Sequence, residues 1–352
     1  MSYRVDVFDP DRHREQLLAL WSSSMTEARI ARVTGERYRW LYERNPTGPT
    51  RTFVAVHVES ETVIGCASIV ARRVLLDGRP VDAGMLCDFA IDKDHRTAGP
   101  AISIQRRVAK ASVEAGVAFL FGYPNEAALP IFKRLRWTFV GQARAWVRPL
   151  RSEYKVRERI PNPLLARLGG LVVDTALRAS EARHVVRRPR LVRSELLARA
   201  DARFDALWER TQPRAITGEK GAAYLDWRYA EFPTATYRFF ALRRGRRLLG
   251  FVAYTVEDEV VLVADLHCDL EHDLDLLLFA FCERMRREGH RSIYVGYAGG
   301  DALGKVLEAH HFFPRPHDRT LLAYVDKSAP EALRGRVAEL ASWHLFDGEL
   351  DI

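Results

Sequence analysis

The sequence repeats itself once, in the same order and over most of its length. A Trp-x-Tyr-x-x-x-Pro pattern occurs at Trp40 and again at Trp227, 187 residues later. The separation between matching features decreases steadily along the chain, to 174 residues at Gly122 and Gly296. A period this long indicates a duplicated domain and not a solenoid of short repeats.

Both copies show the same order of predicted elements. In the first copy, a strand at Tyr3–Val7 precedes helices, three longer strands and a helix from about Pro100 to Ala115. A short buried strand, another helix and a final strand over Thr138–Val147 complete it. Mixed strands and amphipathic helices in this order predict an α+β fold, with two mixed β-sheet domains and flanking helices.

The chain has 352 residues, of which 47% are hydrophobic and 28% are charged, as in globular proteins. This length suggests two or three domains. We divide it into a first domain, a helical connector, a second domain and a C-terminal helix with a tail, over residues 1–150, 151–200, 201–330 and 331–352.

The positive charge is concentrated around the connector. The net charge is +8, and residues 141–200 contain 14 basic and five acidic side chains, which amounts to +9. Such a segment is either a solvated connector or a docking surface for an acidic partner such as an acyl-carrier protein. No aromatic residue interrupts the arginines from Arg157 to Arg199, which argues against nucleic acid. A membrane surface is the less favoured alternative for this amphipathic stretch.

The remaining sequence signals favour the cytoplasm. The first 20 residues contain no apolar core typical of a signal peptide, and no run has the ~18 apolar residues of a membrane-spanning helix. The four cysteines are far apart and form no C-x-x-C pair. A disulfide framework is therefore not expected, and neither is a metal site, because the histidines of the second copy lack zinc-ligand spacing.

Two motifs of the first copy indicate a protein family. Arg96-Thr97-Ala98-Gly99-Pro100-Ala101 fits the pattern (R/Q)-x-x-G-x-(G/A), between a predicted strand and a predicted helix. The segment from Asn125 to Trp137 fits N-x-x-A-x-x-(L/I)-(Y/F)-x-x-x-G-(F/W), except that Arg136 replaces the glycine. In this order the motifs resemble the acyl-CoA pyrophosphate loop and a later motif of the GNAT superfamily of N-acyltransferases.

The resemblance covers Tyr3 to about Val147 and implies a GNAT-like fold in each copy, with acetyl-CoA or a longer acyl-CoA as donor. A glycine-bearing turn at a helix N-terminus holds a diphosphate through backbone N–H groups and the helix dipole. Pro100 removes one of these donors. The expected cofactor-binding residues are Ala90, Ile91, Arg96, Thr97, Ala98, Gly99, Pro100, Ala101, Asn125 and Phe132.

The second copy lacks the phosphate loop. The corresponding segment, Cys268 to Asp273, contains three acidic residues that would repel a diphosphate. We therefore expect only the first copy to bind the cofactor, and the second to shape the acceptor pocket or support the first.

Two residues are candidates for proton transfer. A carboxylate can take the proton of an attacking amine, and Asp88 lies in the strand that leads into the phosphate loop. A structural role is the equal alternative, because Asp265 stands at the matching place in the copy without the loop. The family commonly uses a tyrosine acid where this chain has Phe132. Tyr123, at the end of the next strand, is the substitute candidate, or else an aromatic lining residue.

These features favour an enzyme that moves an acyl group, acetyl by default, from acyl-CoA or an acyl-carrier protein to the amine of a small acceptor. Two alternatives stay open. One is an aminoacyl-tRNA-dependent transferase of the tandem-GNAT type, which the basic segment would suit. The other is a non-catalytic sensor or scaffold, which the departures at Pro100, Phe132 and Arg136 would suit.

Overall fold

The computed structural model describes residues 2–24, 33–151, 192–211 and 213–349, together with residues 162, 164, 169, 172 and 175. Within these residues the chain forms two mixed β-sheets with flanking helices, which confirms the predicted fold class. Most of the predicted connector, including its arginines from Arg157 to Arg190, lies outside the described residues.

The first sheet, sheet A, carries the N-terminal copy. Its strands follow the order β1-β2-β3-β4-β5-β15-β6, and β9 pairs with β3. Among the strands that the structure describes in this path, only β4 and β5 pair in parallel. The strands are β1 (Tyr3–Val7), β2 (Arg51–His57), β3 (Val63–Leu76), β4 (Arg79–Ile91), β5 (Leu120–Gly122), β6 (Thr138–Gln142), β9 (Thr217–Gly218) and β15 (Thr320–Tyr324).

The second sheet, sheet B, carries the C-terminal copy. Its strands follow the order β14-β7-β13-β12-β11-β10-β8, and β16 pairs with β13. The strands are β7 (Arg144–Pro149), β8 (Val192–Leu197), β10 (Arg238–Arg244), β11 (Arg247–Glu257), β12 (Val260–Cys268), β13 (Ser292–Gly299), β14 (Phe313–Arg315) and β16 (His344–Phe346).

The two copies exchange strands. The predicted final strand of the first copy is divided into β6, which stays in sheet A, and β7, which pairs with β13 and β14 of sheet B. In return β15, from the second copy, lies between β5 and β6 of sheet A. The chain passes between sheets at Ala143, whose N–H donates to the carbonyl of Arg319. Each sheet thus contains a strand from both sides of the predicted division at residue 150.

The helices cover the faces of the sheets. In the described residues they are α1 (Pro10–Ser24), α2 (Thr34–Tyr38), α3 (Ala98–Glu114), α4 (Leu129–Arg134), α5 (Ala202–Thr211), α6 (Ala222–Leu225), α7 (Glu271–Arg287), α8 (Asp301–Ala309) and α9 (Glu331–Ala338). The short helices α2 and α6 each continue into a π-helical turn, over Arg39–Glu43 and Asp226–Ala230. No helix in the described part of the chain is long and apolar enough to cross a bilayer.

The repeated tryptophans lie where the copies meet. The indole N–H of Trp40 donates to the carbonyl of Trp227 at 2.6 Å, and the indole of Trp227 donates to the carbonyl of Trp40 at 2.8 Å. Their rings stack with centroids 4.9 Å apart. The contact is thus reciprocal, with equivalent residues of the two copies facing each other. Around it, apolar side chains from both sheets form one shared core.

Candidate functional site

The site begins where β4 and β5 separate. The parallel pair joins only Gly84 to Leu120 and Met85 to Phe121. Beyond this point β4 continues along β3 to Ile91, whereas β5 ends at Gly122 and pairs with β15. The edge of β4 that faces β5 is therefore left open near its C-terminal end.

A groove of about 380 Å³ lies beside this open edge. It includes seven of the ten predicted cofactor-binding residues, namely Ala90, Ile91, Arg96, Thr97, Ala98, Ala101 and Asn125. Four apolar residues that the prediction omitted complete much of the wall: Phe89, Ala127, Ala128 and Ile131. Ala128 and Ile131 belong to the second motif, so the sequence already contained that signal. Ser24, at the end of α1, also lines the groove, and nothing in the sequence pattern indicated it.

The groove includes the N-terminus of α3. Thr97 is the N-cap residue, and its side chain makes no capping hydrogen bond. The first N–H groups of a helix have no partner within the helix. Because Pro100 has no N–H, those of Ala98 and Gly99 remain as donors in the first turn. The dipole of this 17-residue helix adds positive potential, so the groove is suited to an anionic group at this end.

The other three predicted residues support the groove from behind. A Cβ on Gly99 would lie 3.0 Å from the hydroxyl oxygen of Tyr3, so the glycine permits close packing on β1. Pro100 is buried in the first turn of α3. The Phe132 ring is 3% exposed and packs edge-on against Phe89, with centroids 5.9 Å apart.

Asp88 lies beside the groove and not on its surface. Its side chain is fully buried, and Arg37 Nη1 lies 2.6 Å from its Oδ1. The hydroxyl of Tyr42 donates to Oδ2 at 2.9 Å. Neither partner was predicted, although Tyr42 belongs to the repeated Trp-x-Tyr pattern. Asp88 and Tyr123 are therefore not brought together as an exposed acid–base pair.

Tyr123 follows β5 directly, at the end of the opening. Its half-buried side chain packs against the core shared by the sheets. Burial raises the pKa of this phenol well above its ordinary value, and the negative charges of Asp347 and Glu349 raise it further. The hydroxyl therefore stays protonated at neutral pH and can donate a hydrogen bond.

The corresponding opening of the second copy is filled by the chain itself. There β12 and β13 pair in parallel only from Val260 to Val263, and β16 then pairs with β13 over Tyr297–Gly299. Asp347 follows β16 and covers Gly296 so closely that a Cβ on this glycine would lie 2.0 Å from its Oδ2. A ligand entering as in the first copy would have to displace this C-terminal segment.

The turn before α7 is also occupied by carboxylates. Asp269 accepts hydrogen bonds from Arg210, at 3.0 Å, and from Arg247. The Asp273 side chain is 3% exposed in the first turn of the helix, where burial raises its pKa. These carboxylates offset the positive potential at the N-terminus of α7, whereas the corresponding potential at α3 in the first copy is not offset in this way. Within the described part of the chain, no cluster of three or more metal-ligating side chains is present.

Comparison with protein-family models gives a match over residues 10–140, to the acetyltransferase (GNAT) domain. The matched segment contains the groove, both motifs and Tyr123. A comparison with curated protein sequences gives no significant match.

Solved structures resemble most of the chain. A GCN5-related N-acetyltransferase from Kribbella flavida matches with a TM-score of 0.62 and 17% identity, over 92% of this chain and 72% of that one. A GCN5-related N-acetyltransferase from Anabaena variabilis gives 0.64 and 12%, over 92% and 73%. Eis1 from Mycobacterium abscessus gives 0.60 and 12%, over 92% and 74%. At these identities the likeness concerns the fold.

Proposed function

We propose that this protein is an N-acyltransferase that uses a CoA thioester as its donor, because residues 10–140 match the family model of the acetyltransferase (GNAT) domain. The acceptor is a small-molecule amine, and acetyl is the default acyl group. One cofactor binds per chain, in the groove of the first copy.

The groove at the start of α3 carries this proposal. Its polar end contains Ala98, at the N-terminus of α3, beside Arg96, a setting that suits a diphosphate. Its other walls, from Phe89 to Ile91 and from Ala127 to Ile131, are mostly apolar and suit the pantetheine arm. The thioester would then reach the end of β5, next to Tyr123.

An acyl-carrier protein is the second donor that this groove could accept, because it presents the same phosphopantetheine arm. The basic segment 141–200 would suit its acidic surface. We also propose a cytoplasmic location, because the four widely spaced cysteines of the sequence form no C-x-x-C pair and do not suggest a disulfide framework. Parallel assays with acetyl-CoA and an acetylated carrier protein would distinguish the donors.

The groove assignment can be tested at two equivalent helix starts. Thr97 is the N-cap residue of α3, and Leu270 is that of α7; both are exposed. We expect Thr97→Glu to weaken CoA binding about tenfold or more, because a carboxylate at the phosphate end repels the diphosphate. Leu270→Glu should bind CoA like the wild type. Titration calorimetry with CoA measures affinity and stoichiometry for all three proteins.

Three outcomes of this titration would contradict the proposal or a part of it. A wild-type protein that binds no CoA would overturn the proposed function. Unchanged affinity in Thr97→Glu would remove the phosphate site from the start of α3. A stoichiometry of two, lowered to one by Leu270→Glu, would assign a second site to the C-terminal copy.

Tyr123 is the proposed acid for the departing thiolate. Replacing it with phenylalanine should lower turnover by about 10²–10⁴-fold, the range typical of general acid–base groups. CoA affinity should stay the same, because Tyr123 is not a groove-lining residue. Tyr297 is its counterpart in the second copy, so Tyr297→Phe serves as the matched control. Full turnover in Tyr123→Phe would exclude the hydroxyl from the chemistry.

A further inference from the structure

Strand β4 contains a bulge at Asp88. Cys66 of β3 pairs with Ala90, but Ser68 pairs with Cys87, so Asp88 and Phe89 together face the single residue Ala67. Asp88 has a φ of +53°, in the left-handed region that non-glycine residues seldom occupy. Bulges bend a strand and change its twist, and a residue in such a conformation persists only where its surroundings hold it.

Three groups on other elements contact Asp88, and a fourth orients one of them. Arg37, from α2, and Tyr42, from the π-helical turn, bind the two carboxylate oxygens at 2.6 and 2.9 Å. The Cys66 thiol donates to the Asp88 carbonyl at 2.9 Å. Ser68 Oγ lies 2.7 Å from the Tyr42 hydroxyl and so fixes its orientation. Polar contacts therefore connect the bulge to α2, to the π-helical turn that follows α2 and to β3.

The residues directly after the bulge form the wall of the groove. Phe89, Ala90 and Ile91 all line it, and Ile91 also accepts a hydrogen bond from Arg96 Nε at 3.3 Å. The Asp88 side chain itself is fully buried among its partners and is not part of the wall. An acceptor amine in the groove cannot reach this carboxylate without breaking its contacts to Arg37 and Tyr42.

The second copy helps to distinguish a structural role of the aspartate from a role in proton transfer. There Asp265 is buried, Tyr229 donates to its Oδ2 at 3.4 Å, and Lys220 Nζ lies 2.6 Å from its Oδ1. Strand β12 also contains one extra residue next to Asp265, between its pairings with Ala253 and Tyr254. The Tyr–Asp pair and the bulge are thus retained together in a copy whose opening is filled and whose helix start is blocked by carboxylates.

We propose that Asp88 is a positioning residue, which with Arg37 and Tyr42 fixes the β4 bulge and thereby the groove wall from Phe89 to Ile91. This role deepens the proposed function, because the wall matters for catalysis only if the groove holds the acyl donor. It replaces proton transfer as the reason for a buried carboxylate at this position.

The structural part of the proposal is tested on the ligand-free, full-length protein. Amide hydrogen exchange at Phe89–Ile91 should become about tenfold faster in Tyr42→Phe, as expected for the loss of one buried hydrogen bond. Tyr229→Phe should leave these amides unchanged and act only near Asp265. Asp88→Asn is the stronger variant, and Tyr42→Phe keeps the test possible if Asp88→Asn does not fold. Unchanged exchange in both first-copy variants would overturn the proposal, whether or not the protein binds CoA.

The functional part uses CoA and acetyl-CoA as probes. In Tyr42→Phe and Asp88→Asn, CoA affinity and kcat/KM should fall together by about tenfold to 10²-fold, because a small displacement of the wall misaligns the donor. Asp265→Asn should lower the melting temperature without changing CoA affinity. A base role predicts the opposite pattern: Asp88→Asn would lose turnover and the acidic limb of its pH profile at unchanged CoA affinity. That pattern would overturn the proposal, as would equal effects of Asp88→Asn and Asp265→Asn on every quantity.

Discussion

Replacing Glu349 with glutamine is expected to lower the free energy of unfolding by about 3–5 kcal/mol, because it leaves a buried arginine without its counter-charge. Arg72 Nη2 donates to both Glu349 oxygens, at 2.7 and 2.6 Å, and the two side chains are only 1% and 2% exposed. The pair joins the C-terminal turn to β3 across 277 residues of sequence. Urea unfolding of the full chain measures the loss.

The pH dependence of this loss has a definite sign. Burial alone would raise the pKa of Glu349, but the positive charges of Arg72, Lys220 and Arg228 outweigh it and hold the pKa below the ordinary 4.5. A carboxyl group with a lowered folded pKa contributes its full stability above the unfolded pKa. That contribution disappears as pH falls through the folded pKa. The difference in the free energy of unfolding between wild type and Glu349→Gln should therefore disappear only below about pH 4.5.

Glu15→Gln is the control, because Glu15 is an exposed residue of α1. A surface change of this kind should stay within about 0.5 kcal/mol of the wild type. A loss below about 1 kcal/mol in Glu349→Gln would contradict the buried-pair argument. A difference in the free energy of unfolding that stays unchanged at low pH would also contradict this argument.

Neither copy is expected to fold when it is produced alone. Residues 1–150 would lack β15, which pairs with both β5 and β6, and would leave β7 without the strands on either side of it. The shared core around Trp40 and Trp227 would lose 20 of its 31 buried residues. We expect this fragment, and a fragment from residue 192 onward, to show no cooperative thermal transition and no CoA binding.

A cut inside the connector provides the matched control. Chains covering 1–170 and 171–352, produced together, should associate, unfold cooperatively and bind CoA, because together they contain every exchanged strand. A cooperative transition and CoA binding by the fragment 1–150 alone would show that the exchange is dispensable. Calorimetry and size-exclusion chromatography distinguish these outcomes.

The sequence indicated the groove well because its residues lie close together along the chain. Arg96 and Thr97 lie directly before α3 and Ala98 to Ala101 form its first turn, and local patterns predict such a helix start. Asn125 caps the next turn through the backbone N–H of Ala128, again within four residues. Phe89 was missed because the strand pattern marks it only as apolar, and its place on the groove depends on the bulge before it.

What the sequence determined by itself was the duplication, the α+β class, the turn that we propose binds phosphate and the absence of that sequence motif from the second copy. These depend on local periodicity and on residue types a few positions apart, which are readable without a fold. Only the tertiary structure decided that β7 and β15 change sheets, that Arg37 and Tyr42 enclose Asp88, and that β16 fills the second opening. Each of these joins residues far apart in sequence, and strand pairing and buried ion pairs leave no local pattern, because their energy comes from partners that only the folded chain brings together.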